Sequence, residues 1–96
     1  RVGELAVDLL NRTVPVAGEP VSLTPTEFNL LAVLAQNPGR PFTRAQLMEH
    51  VYDVAYTGYD RAIDSHIKNL RRKIEPLPRQ PRYVLTVYGV GYKMRS

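Results

Sequence analysis

The stretch from Tyr59 to Ile74, YDRAIDSHIKNLRRKI, constrains this chain more than any other. At 100° per residue Ile63, Ile67, Leu70 and Ile74 fall on one narrow stripe, which predicts a helix with a single buried side. Burying four aliphatic side chains contributes roughly 1.5–3 kcal/mol each, about 6–12 kcal/mol in gross terms, enough to fix which way the helix faces. The opposite side carries Arg61, Ser65, Lys68 and Arg72, with Ala62 and Asn69 beside them. His66 and Lys73 lie on one flank, Asp64 and Arg71 on the other. Cations interleaved with short polar side chains suit a DNA major groove, where the cations meet phosphates and the short groups reach base edges. A solvated surface helix has the same composition, so the flanking sequence must decide between the two.

Charge distribution favours the first reading. Residues 1–50 hold four Lys/Arg against five Asp/Glu, whereas residues 51–96 hold nine against four. A basic half beside a near-neutral one is the electrostatic footprint of a polyanion binder. An anionic membrane surface is the rival partner, but it requires bulky apolar groups exposed next to the cations, and here the apolar stripe is needed for the core. No apolar run approaches the length of a membrane span, and no signal-peptide pattern opens the chain. The chain contains no cysteine, which excludes disulfides and thiolate metal sites and is compatible with the reducing cytoplasm. Its 96 residues, 44% of them apolar, are expected to form one domain with a real core. The start at Arg1 rather than Met is expected of a piece cut from a longer protein.

The first segment reads as short strands within residues 2–23. Leu5, Val7 and Leu9 alternate with polar or small residues, Asn11-Arg12 forms a turn, Val14 and Val16 lead to a second turn at Ala17-Gly18, and Pro20 to Leu23 close the meander. The segment is either scaffold or a docking surface for a neighbouring domain. Thr24-Pro25-Thr26-Glu27 then opens a helix over about 25–37, with Thr24 as cap, proline at the first helical position and Glu27 completing a capping box. Phe28, Leu31, Leu34 and Ala35, widened by Leu30, supply its buried face. Thr43 to Gln46 form a second capping box, and a helix over about 43–51 turns Leu47, Met48 and Val51 inward. Arg44 sits in the first turn of that helix, either as part of a phosphate clamp or as a solvated cation beside an ordinary cap.

Val51 to Gly58 connect the second and third helices. Tyr52 and Tyr56 in this connection either mark a partner surface or pack on the core with their hydroxyls outward. The third helix, over about 59–75, must stop before Pro76. A proline-stiffened basic connector with Arg79 and Arg82 follows, and residues 83–95 read as a hairpin with glycines at the bend, a wing able to reach backbone or minor groove.

LTPTEFNLLAVLAQNPGRPFTRAQLMEHVY, DRAIDSHIKNLRRKI and TVYGVGYKM, in that order, resemble the OmpR/PhoB family of winged-helix effector domains, over essentially the whole chain. The resemblance implies an α+β fold: a four-stranded N-terminal antiparallel sheet, three helices and a C-terminal β-hairpin wing. It implies sequence-specific binding of double-stranded DNA for transcription regulation, with the third helix in the major groove. It further implies an N-terminal receiver domain phosphorylated by a sensor histidine kinase, homodimers on tandem half-sites, and contact with RNA polymerase through Val51, Tyr52, Asp53, Val54, Ala55, Tyr56, Thr57 and Gly58. Carried over by position, Arg44, Tyr52, Arg61, His66, Lys68, Arg71 and Thr86 fall at phosphate contacts, and Ala62, Asp64, Ser65 and Asn69 face base edges. Asp64 has the alternative of pairing with Lys68 one turn on. His66 and Arg71 lie near the border of the buried stripe, and Arg72 joins the phosphate contacts on the helical wheel. Tyr88, counted with the backbone contacts, stands where members often carry an Arg that enters the minor groove; Arg79, Arg82 and Arg95 are the cations available to replace it. Asn69 stands where some members place Arg.

No cofactor, metal cage or enzymatic site is expected, because two histidines, no cysteine and scattered carboxylates form no nucleophile–base pattern. The competing class is a winged helix used for protein contact, which lacks the steep salt dependence of a DNA binder. RNA binding is a third class, and the aromatic platform that stacks unpaired bases is missing.

Overall fold

The computed structural model describes residues 6–16, 18–52 and 61–96. In chain order these form β1 (Val14–Val16), β2 (Glu19–Val21), α1 (Pro25–Ala35), β3 (Phe42–Thr43), α2 (Arg44–Tyr52), α3 (Arg61–Ile74), β4 (Val84–Val87) and β5 (Gly91–Met94). Three helices between a small N-terminal sheet and a C-terminal hairpin are the winged helix that the resemblance implies.

The helix starts follow from the capping residues. Thr24 Oγ1 accepts the Glu27 N–H at 3.2 Å and Glu27 Oε1 accepts the Thr24 N–H at 3.0 Å, so α1 begins with its box closed. Thr43 and Gln46 repeat the arrangement at α2, at 2.9 and 3.1 Å. Glu27 is also buried against Lys73 of α3, Nζ to Oε1 2.6 Å. Burial works to raise its pKa, but the hydrogen bonds and charge of Lys73 and Thr24 outweigh burial and hold the carboxyl below its ordinary value. One carboxylate thereby caps one helix and ties it to another.

Ile63, Ile67, Leu70 and Ile74 are all buried, as the stripe requires. They meet Phe28, Leu30, Leu31 and Leu34 of α1, Leu47 and Met48 of α2, and Tyr83, Val84, Tyr92 and Met94 in one hydrophobic cluster. Ala35 and Val51, expected inward, are half-buried at its edge. The α1 helix ends two residues before the expected limit, because Asn37 turns back, its Nδ2 donating to the Val33 carbonyl at 2.9 Å.

The N-terminal segment departs from its alternation pattern. Leu9, expected on a strand, lies in a turn and is 45% exposed. The cause is Asp8, whose Oδ1 accepts the N–H groups of Leu10 and Asn11, both at 3.1 Å, and bends the chain into a local turn. Hydrogen bonding by Asn11 pulls the Asp8 carboxyl below its ordinary pKa. Among the described residues the N-terminal sheet is the β1–β2 pair, extended by a single bridge between Asp8 and Thr13. The first part of the expected opening strand, residues 2–5, lies outside the described residues. Arg12 fastens the turn to α1, Nη2 donating to Asn29 Oδ1 at 2.9 Å with the guanidinium 4.4 Å from the Phe28 ring centroid.

The wing is larger than a hairpin. Phe42 and Thr43 form an added strand, giving a three-stranded antiparallel sheet in the order β3–β5–β4 with Phe42 opposite Tyr92 and Thr43 opposite Gly91. Gly89 turns the hairpin with φ +79°, whereas Gly91 serves a different purpose. A Cβ at Gly91 would lie against the backbone of Phe42, on its carbonyl oxygen, so glycine is what lets β3 reach β5.

Candidate nucleic-acid interface

The exposed side of α3 carries Ala62, Ser65, Lys68, Asn69 and Arg72, opposite the buried stripe, as the helical wheel places them. Arg61 begins the helix, and its side chain lies outside the described residues. So does that of Tyr52, the last residue of α2. Of the loop expected to meet RNA polymerase, Val51 is half-buried at the end of α2, and Asp53, Val54, Ala55, Tyr56, Thr57 and Gly58 lie outside the described residues. His66 is half-buried, at the border where the wheel puts it.

Around this face runs a set of polar contacts joining α3 to its neighbours. Asp64 Oδ1 accepts Arg44 Nε at 2.8 Å and the Tyr92 hydroxyl at 2.5 Å, so one carboxylate links α3, the start of α2 and β5 of the wing. Pairing is therefore with Arg44, not with Lys68 one turn on, and the carboxylate is engaged inside the protein. Burial, then the hydrogen bond to Asp64, pushes the Tyr92 phenol up to about 12. Arg71, half-buried, donates Nε and Nη2 to the Val84 carbonyl at 3.1 and 2.9 Å, and Nη2 also reaches Thr86 Oγ1 at 2.8 Å. Its guanidinium lies 5.4 Å from the Tyr92 ring centroid. Arg44, Asp64, Arg71, Thr86 and Tyr92 thus form a connected frame, with the cations Lys68 and Arg72 standing exposed beside it.

A second support holds the far end. Glu75 is buried, and its carboxylate accepts the N–H groups of Arg82 at 2.7 Å, Tyr83 at 3.1 and 3.2 Å, and Val84 at 2.9 Å. At the tip of the wing Tyr88 is 92% exposed, beside Val90.

The family described as transcriptional regulatory protein, C terminal, matches residues 18–94. The chain belongs to that family. Among curated relatives, the transcriptional regulatory protein BaeR of Escherichia coli is 51% identical over 79 residues, 82% of this chain and 33% of BaeR. Among solved structures, the RstA DNA-binding domain of Klebsiella pneumoniae, in complex with the RstA box, superposes with a TM-score of 0.89 at 34% identity, covering 99% of this chain and 94% of that one. DrrB of Thermotoga maritima, a response regulator described as an OmpR/PhoB homolog, also gives 0.89 at 35% identity, covering 100% of this chain and 43% of DrrB. This transcriptional regulatory C-terminal domain is an OmpR/PhoB-type winged helix. It spans about a third to a half of the length of the curated relatives it matches. The family is one of transcription regulators and not an enzyme class. No helix among the described residues is long and apolar enough to cross a membrane.

Within this regulatory domain, sequence reasoning missed Tyr92, Glu75 and the strand at Phe42–Thr43. The partners of Tyr92 and Glu75 lie 28 and 7–9 residues away along the chain, beyond any helical or strand period. A two-residue strand is too short to alternate.

Proposed function

We propose that this chain binds double-stranded DNA sequence-specifically as the output domain of a phosphorylation-controlled response regulator, with α3 in the major groove and the β4–β5 wing on the backbone or minor groove. The observation that carries the reading is the exposed side of α3, where Lys68 and Arg72 are interleaved with Ala62, Ser65 and Asn69 and the buried stripe fixes the orientation. The RstA domain, solved on its DNA box with the same fold, supports it.

In this reading Ala62, Ser65 and Asn69 face base edges, and Arg61, His66, Lys68, Arg72, Thr86 and Tyr52 meet phosphates. Tyr88 presents an uncharged ring to the duplex where an arginine would present a cation. Arg44 and Arg71 contact phosphates while braced from behind by Asp64 and by Val84 and Thr86. Asp64 orients Arg44 and the wing in place of reading a base, since its carboxylate already has two partners. Residues 1–96 act as one effector domain of a longer cytoplasmic protein that carries a receiver domain, dimerises on tandem half-sites, and meets RNA polymerase through residues 51–58. The domain performs no catalysis.

Selection of bound duplexes from a random pool, followed by titration across a salt series, tests the proposal. With about four to six phosphate contacts, log K falls against log[salt] with a slope of about −4 to −5, and one half-site sequence is enriched. Failure of every duplex to associate at low ionic strength overturns it.

A further inference from the structure

The connector between α3 and β4 is a shelf built beside the exposed side of the helix. Pro76, Pro78 and Pro81 fix three of its backbone angles, and the Gln80 N–H closes a turn on the Leu77 carbonyl at 2.8 Å. Glu75 clamps the shelf at the far end through the N–H groups of Arg82 and Tyr83. Between shelf and helix lies an open groove of about 720 Å³, lined by Lys68, Arg71 and Arg72 of α3, by Arg79 and Leu77 of the connector, and by Asp64.

Four cations face one carboxylate there, and that carboxylate is already met by Arg44 and Tyr92. Among the described residues none of Lys68, Arg72 and Arg79 forms a salt bridge. The C-terminal half of a helix carries negative dipole character, which works against an anion, but the fixed cations outnumber it at short range. Leu77 is 61% exposed on the same shelf, placing an apolar surface beside the charges. An open groove in which cations adjoin an apolar surface matches a sugar–phosphate strand better than a compact ligand, which needs enclosure.

We infer that the connector Leu77–Gln80 is a third DNA-contacting element, in which Arg79 binds a backbone phosphate flanking the major groove, across from Lys68 and Arg72, while Leu77 packs on the adjoining deoxyribose. The inference rests on the DNA-binding reading above and adds to it a contact outside both the helix and the wing. The preformed shelf means that Arg79 meets the strand without a loop having to order first.

Arg79→Ala tests it, with thermal unfolding to verify the fold, Arg79→Lys as the charge-keeping variant, and Arg12→Gln as the charge-matched variant on the N-terminal turn. The expected result for Arg79→Ala is a salt slope shallower by about 0.9 and binding about three- to fivefold weaker near 0.15 M salt, equally for cognate and unrelated duplexes. Arg79→Lys keeps the slope, and Arg12→Gln leaves it unchanged. A wild-type slope in Arg79→Ala overturns the inference, while DNA binding by the parent chain still stands. Absence of duplex binding by the parent chain overturns the DNA reading itself.

Discussion

Arg71 donates two N–H groups to the carbonyl oxygen of Val84, at 3.1 and 2.9 Å, and Glu75, the residue just past the end of α3, accepts the N–H of that same Val84 at 2.9 Å. Val84 begins β4, an edge strand of the wing sheet, so its outward backbone groups would otherwise be open to water or to another strand. A side chain of the helix and one from the residue just after it take up both groups. The wing is thereby held to α3 by charge-assisted bonds, which are stronger than neutral ones and more directional than apolar packing. In the proposed DNA-bound state, a duplex that accepts the helix would meet the wing in a set position.

Glu75→Gln should therefore destabilise the domain out of proportion to its small change in shape. The amide keeps one acceptor oxygen but brings an NH₂ against backbone N–H groups that had a carboxylate oxygen. Leaving buried donors unpaired costs about 1–3 kcal/mol each. We expect a loss of about 2–4 kcal/mol in denaturant unfolding, with exchange protection lost first at the amides of residues 82–84. Unchanged stability would mean that the carboxylate is dispensable to the wing.

Gly91→Ala should be worse tolerated than Gly89→Ala, although Gly89 is the glycine with positive φ. An added methyl at position 91 meets the Phe42 backbone, which cannot rotate away as a side chain would. Overpacking of this kind costs about 3 kcal/mol, against about 1–2 kcal/mol for the strained but open turn position. Thermal unfolding of the two variants compares them directly, and equal losses would contradict the close approach of β3 to β5.

Alkaline stability should depend on Tyr92. Its folded pKa of about 12 lies above the ordinary value of 10.0, so its contribution is complete below about pH 10 and is lost as pH rises toward about 12. Tyr92→Phe removes the hydrogen bond to Asp64 and with it that part of the alkaline decline. Melting temperatures of both proteins through this window should converge as pH rises; parallel curves would show that the phenol is not coupled to folding.

The residues that carry a period or a cap were readable in advance, and those that act across the fold were not. Ile63, Ile67, Leu70 and Ile74 are buried as their spacing requires, and both capping boxes close. The helix therefore presents Ser65, Lys68 and Asn69 outward as expected. Asp64 shows the limit. Its place on the helix was legible, but its partners Arg44 and Tyr92 come from elements 20 and 28 residues away, and only the packed fold brings them to one oxygen. Leu9 fails for the opposite reason, since a purely local set of hydrogen bonds to Asp8 overrides an alternation that only tertiary packing would reward.

Lys68→Ala and Ser65→Ala should separate positioning from reading. Loss of the lysine weakens binding to every duplex and makes the salt slope shallower by about 0.9. Loss of the serine hydroxyl costs roughly 1–3 kcal/mol mainly on the selected site and leaves the slope alone. A Lys68→Ala defect confined to one sequence would contradict its assignment to phosphate.

Asn69 offers the sharpest test of specificity, because it is exposed on the same face as Ser65 and one residue from Lys68. An amide presents a donor and an acceptor side by side, matching N6 and N7 of adenine, while a guanidinium presents two donors, matching O6 and N7 of guanine. Asn69→Arg should therefore move the preferred base at one half-site position from adenine to guanine. Each good bidentate pair discriminates by about 1–3 kcal/mol, large enough to appear as a changed consensus in a selection. The position is exposed, so the substitution leaves the buried stripe untouched and the unfolding transition should stay where it is. An identical consensus from both proteins would remove Asn69 from the reading face, and a shift at more than one position would mean that the helix had re-seated in the groove.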